Sequence, residues 1–90
     1  MFIDNGFSYK YRITKFASGY TARTYTSDLN KANERFAELV LLMKEPYSTI
    51  EKSFLEQHDV KSDMPVLLQD AYVDTVVVVN STREALNVRL

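Results

Sequence analysis

Apolar and polar positions alternate through the N-terminal part of the chain. Phe7, Tyr9, Tyr11 and Ile13 interleave with Ser8, Lys10, Arg12 and Thr14, the period-two pattern of a strand with one buried face. A second run, Tyr20 to Thr26, is rich in aromatic and β-branched residues, which suit a half-buried pleated surface. With Ser18-Gly19 as the turn, antiparallel pairing sets Ile13 opposite Thr24 and Arg12 opposite Tyr25. Tyr20, Ala22, Thr24 and Thr26 then face the core, while Thr21, Arg23 and Tyr25 face away. A one-residue slip would mix the two faces. A longer loop from Phe16 to Gly19 keeps the same parity, so loop length stays open at this point.

The period then changes. Leu29, Ala32, Phe36, Leu39 or Val40, and Met43 recur at three- and four-residue intervals, predicting a long helix capped by Ser27 or Asp28. Lys31, Glu34, Arg35 and Glu38 supply its polar side, and Pro46 ends it by lacking an amide donor and restricting Glu45. Ser48-Thr49-Ile50-Glu51 has capping-box spacing. It predicts a short helix with Ile50 and Phe54 on its apolar side.

His58 to Met64 reads as a polar loop. Pro65 to Ala71 fits either a helical turn or an extended segment, because so short an apolar run carries no usable period. Tyr72 to Val79, YVDTVVVV, predicts a strand buried on both sides, central in the sheet or paired with another chain. After Asn80-Ser81-Thr82, alternation of Leu86, Val88 and Leu90 with Asn87 and Arg89 favours a terminal strand. Ser81-Thr82-Arg83-Glu84 offers a competing capping box. The expected class is α+β: a small antiparallel sheet with an N-terminal β-hairpin, covered by one long helix and one short helix.

Composition narrows the possibilities. The chain has 90 residues, 46% of them hydrophobic and 26% charged, a balance that favours one compact domain over residues 1–90 rather than disorder. Cysteine is absent, which excludes disulfides, cysteine-based metal sites and thiol catalysis. The N-terminal stretch lacks the apolar core of a secretory signal, and no run approaches the roughly 20 apolar residues of a membrane span. Cytoplasmic residence without membrane contact is therefore expected, and Asn80-Ser81-Thr82 reads as a polar turn or cap rather than a glycan acceptor. The net charge of -1 hides an asymmetry, with bases in excess up to Arg35 and acids in excess beyond it.

Catalytic signatures are sparse. His58-Asp59, with Asp63 nearby, is the one local cluster with acid-base or metal-ligand chemistry, but its spacing favours an ordinary polar loop. The two glycines belong to no phosphate-cradling run, no nucleophile elbow is present, and the acidic residues lack calcium-loop spacing. No catalytic residue, metal or cofactor is predicted.

The hairpin carries the remaining signal. Arg12, Arg23 and Tyr25 share its outward face and combine broad contact area with directional polar groups, a composition suited to protein interfaces. Lys10, Arg12, Arg23 and Tyr25 could instead meet phosphates and stack on a base. The lack of an overall positive charge weighs against that alternative. The expected function is a small noncatalytic protein-binding accessory or regulatory protein. An inhibitor of cellular machinery, of viral or mobile-element origin, is one subset, and its partner is a protein of unspecified identity or a second copy in a homodimer.

Overall fold

A computed structural model describes residues 1–73, together with the backbone of residues 76–79 and 85–88. It contains β1 (Phe2–Asp4), β2 (Phe7–Tyr9), β3 (Tyr11–Ala17), β4 (Tyr20–Thr26), α1 (Leu29–Met43), β5 (Ile50–His58), β6 (Pro65–Tyr72), β7 (Val76–Val79) and β8 (Ala85–Val88). The central element is a four-stranded antiparallel sheet in the order β4-β3-β5-β6, accompanied by the two-stranded ladders β1-β2 and β7-β8.

The β3-β4 hairpin has the expected register, with Ile13 opposite Thr24, Arg12 opposite Tyr25 and Ala17 opposite Tyr20 around Ser18-Gly19. Gly19 takes φ +88°, a conformation costly for side-chain-bearing residues. The alternating run does not form one strand, however. It breaks at Lys10, and Phe7 to Tyr9 instead pairs with Phe2 to Asp4. Asn5 and Gly6, with φ of 50° and 82°, form the turn; an Asn-Gly pair in left-handed geometry suits a tight hairpin. Phe7 is consequently exposed and Tyr9 half-buried, rather than both lying in the main core.

Helix α1 follows the predicted stripe. Asp28 caps it, its side chain accepting from the amides of Asn30 at 2.8 Å and Lys31 at 3.3 Å. Ala32, Phe36, Leu39, Val40 and Met43 are buried, while Leu29 remains exposed. These residues pack with Tyr11, Ile13, Ala17, Ile50, Leu55 and Ala71 in a single core cluster. The helix lies over β3 and β5 and touches β4 at its margin. Tyr20 and Thr24 therefore sit on the helix side of the sheet and remain exposed.

The predicted short helix is replaced by β5. Ser48 Oγ accepts from the Ile50 amide at 3.2 Å, a local turn bond that the capping-box spacing resembles. Beyond it, Ile50 to His58 fills the position between β3 and β6. Two ladders of backbone hydrogen bonds, with Ile50, Ser53 and Leu55 buried, outweigh the weak strand preference of Glu, Lys and Gln. Pro65 to Tyr72 is extended and pairs with β5, resolving the ambiguous segment. Tyr72 ends β6, and the valine run forms a separate strand paired with β8. Its predicted central place in the main sheet is thus corrected. Val76 pairs with Val88 and Val78 with Leu86, in agreement with the favoured terminal strand. Asp74, Thr75, Asn80 to Glu84, Arg89 and Leu90 lie outside the described residues.

Candidate functional site: the sheet face opposite the helix

Since α1 occupies one side of the four-stranded sheet, the other side displays the alternate residues of each strand. The register aligns Arg23, Thr14, Phe54 and Asp70 in one row, with Tyr25, Arg12, Glu56 and Leu67 in the next. Phe16 stands beside them and meets Phe54 edge-on, with centroids 5.5 Å apart and planes at 90°. An open depression of about 330 Å³ runs among Arg12, Thr14, Phe16, Arg23, Phe54, Glu56 and Leu67.

The side chains here differ in what they already contact. Arg12 Nε and Nη2 donate to the two carboxylate oxygens of Glu56 at 3.2 and 3.1 Å, a two-pronged ion pair whose planar geometry favours arginine over lysine. Its guanidinium also lies 4.4 Å from the centroid of Phe2. Phe2 is buried, its ring centroid 6.4 Å from that of Tyr25 and 5.4 Å from that of His58 in a T-shaped arrangement. Tyr25 further approaches Tyr9 at 6.0 Å. Folding of β1-β2 over this corner therefore engages Arg12 and Tyr25 within the chain. Arg23 is exposed and has no ion pair among the described residues.

Lys10 occupies the break between β2 and β3. Its Nζ lies 5.8 Å from the Tyr11 ring centroid, and its carbonyl accepts from the His58 amide. Lys52, which sequence patterning did not single out, joins the open face with Nζ 4.6 Å from the Phe54 centroid and 4.4 Å from that of Tyr72. Its signal was concealed by the helical reading of residues 48–54. In a strand, Lys52, Phe54 and Glu56 alternate onto one side.

On this face, Thr14 Oγ1 and Asp70 Oδ1 are buried and have no hydrogen-bond partner among the described residues. At the adjoining end of the sheet, His58 is buried and its Nδ1 lies 3.5 Å from Asp63 Oδ1. Asp59 accepts from Ser62 Oγ at 2.6 Å and from the Lys61 amide at 3.0 Å. These bonds, led by that from Ser62, hold the Asp59 carboxyl below the usual carboxylate range. They organise a tight turn. Among the described residues, no group of three His, Asp or Glu side chains is arranged to hold a metal, and no helix is long and apolar enough to cross a membrane.

No protein-family model, curated protein or solved structure matches the chain.

Proposed function

We propose that the chain is a noncatalytic protein-binding module whose partner docks on the helix-free side of the four-stranded sheet. The observation supporting this reading most directly is that Arg23, Phe16 and Phe54 line an open depression away from α1, with Tyr25 next to Arg23 on the same face of β4. Arginine and aromatic side chains provide large contact area with directional polar groups, the composition from which binding hot spots are built. Arg12 supports this surface through Glu56 and Phe2 rather than presenting an uncommitted charge. A regulatory or inhibitory role would act by occupying a surface on the partner.

Nucleic-acid binding through Lys10, Arg12, Arg23 and Tyr25 has less support. Glu56 neutralises Arg12, and Lys10 lies in the strand break beside Tyr11. Phosphate backbones reward several uncommitted cations together. The decisive experiment is affinity capture followed by reconstitution of the complex from purified components. Arg23→Ala or Tyr25→Ala should weaken it by about 1 kcal/mol or more, in the range of alanine-scan contributions, with the circular-dichroism spectrum retained. Wild-type affinity in both variants would overturn the docking surface; salt-dependent affinity only for DNA or RNA would put the nucleic-acid reading in its place.

A further inference from the structure

The two edges of the four-stranded sheet are built differently. β6 begins with Pro65, pairs with β5 through an irregular register between Leu55 and Glu56, and carries buried Asp70. Proline, bulges and inward-pointing charge are features that blunt an edge against further strand pairing. β4 has none of them. It runs from Tyr20 to Thr26 without proline or glycine, pairs with β3 in an unbroken register, and has no strand on its other side among the described residues.

Its hydrogen-bonding parity follows from the hairpin. A two-residue turn makes Ala17 and Tyr20 the closing hydrogen-bonded pair, after which bonded and non-bonded pairs alternate. The bonds on the opposite side of β3 agree. The Ser18 amide donates to the Thr49 carbonyl at 2.8 Å, and the His58 amide donates to the Lys10 carbonyl at 3.0 Å, so even-numbered positions flanking β3 face β5. Tyr20, Ala22, Thr24 and Thr26 therefore spend their backbone groups on β3. Thr21, Arg23 and Tyr25 turn theirs outward along the edge.

We infer that β4 accepts an extended segment of a partner protein as a fifth antiparallel strand, with an acidic side chain of that segment opposite Arg23. This deepens the proposed protein-binding function and rests on it. The outward-turned odd-numbered amides and carbonyls supply the ladder, as in recognition by strand addition. Arg23 supplies the preference: it is the one charged side chain in β4 and lacks an ion pair among the described residues. Opposite charges directly across a strand pair attract, whereas like charges repel. A second copy is a poorer occupant. Antiparallel self-pairing along the whole of β4 sets Arg23 against Arg23, and shifting the register to avoid this shortens the ladder.

The test uses the full chain labelled with nitrogen-15 and the blocked peptide Thr-Val-Thr-Glu-Thr-Val-Thr, beside counterparts with Gln or Lys at the centre. In the protein alone, Thr21, Arg23 and Tyr25 amides should exchange with solvent faster than those of Ala22 and Thr24. The Glu peptide should slow exchange at those three amides and bind about fivefold more tightly than the Lys peptide, an advantage that Arg23→Glu reverses. Thr21→Pro removes an outward amide without removing a β3-β4 bond, so it should weaken peptide binding while preserving the fold. If it unfolds the chain, the Arg23→Glu reversal still decides the matter. Equal affinity for all three peptides, no binding at millimolar peptide, or protection of the odd-numbered amides by concentration alone would overturn the inference, the last because a second copy would then be the occupant. A reconstituted protein complex sensitive to Tyr25→Ala but indifferent to Thr21→Pro and Arg23→Glu would preserve face docking and overturn strand addition.

Discussion

Arg12 stands on the outward face of β3 and pairs with Glu56 on β5 at 3.1 Å. The hairpin register placed it correctly on the outward face, but sequence distance concealed Glu56, which approaches only after β5 inserts beside β3. Removing Arg12 leaves a partly buried carboxylate without its partner. Arg12→Ala should therefore lower unfolding free energy by about 1–2 kcal/mol, and Arg12→Ala/Glu56→Ala should cost less than the sum of the single changes. Urea denaturation of the four-member cycle measures this; strict additivity would contradict the coupling. Thr14 presents the opposite case. Its buried Oγ1 has no hydrogen-bond partner among the described residues, so Thr14→Val removes a poorly compensated polar atom while retaining shape. The variant should gain about 1 kcal/mol in the same assay. A comparable loss would show that the hydroxyl is satisfied in the folded protein.

At the scale of elements, periodicity served best where one face alone determined the pattern. The β3-β4 register and the α1 stripe were legible because buried positions recur at two residues in one and at three or four in the other. β5 was not legible in the same way. Its Glu, Lys and Gln residues carry little strand preference, and its conformation is imposed by neighbours far away in sequence. The Asn5-Gly6 turn was a readable signal for β1-β2, but the longer alternation through Tyr9 and Tyr11 obscured the break at Lys10.

Two connecting segments yield direct tests. Tyr47 has φ +91° and is fully exposed, so glycine removes backbone strain with little loss of packing. Tyr47→Gly should stabilise the chain by about 1 kcal/mol in thermal or urea unfolding; destabilisation of that size would reveal a contact made by the ring. In the turn after β5, hydrogen bonding from Ser62 favours the ionised form of Asp59. Its stabilising contribution is present above the unfolded-state pKa and is lost as pH falls through the lower folded-state value. Carbon-13 titration should find the Asp59 midpoint below the ordinary aspartate range, and Ser62→Ala should move it upward. An unchanged midpoint would remove Ser62 as the principal cause.

Across the whole molecule, α1 covers one side of the four-stranded sheet and leaves it with two unlike sides. Alanine, leucine, valine and aromatic side chains join α1 to β3 and β5, while the opposite side mixes aromatic rings with Arg23, Lys52 and the Arg12-Glu56 pair. The sequence pointed to Arg12, Arg23 and Tyr25 as companions, and the register brings them to that side. The aromatic contribution from Phe16 and Phe54 emerged only with the pairing of β3 and β5. Cross-saturation NMR on the reconstituted complex, with a deuterated chain and a protonated partner, distinguishes the two sides most directly. Docking on the sheet face predicts signal loss at the amides of Thr21, Arg23, Tyr25 and Phe16, with Lys31 and Glu34 on α1 unaffected. Signal loss centred on Lys31 and Glu34, with the sheet face unchanged, would contradict it.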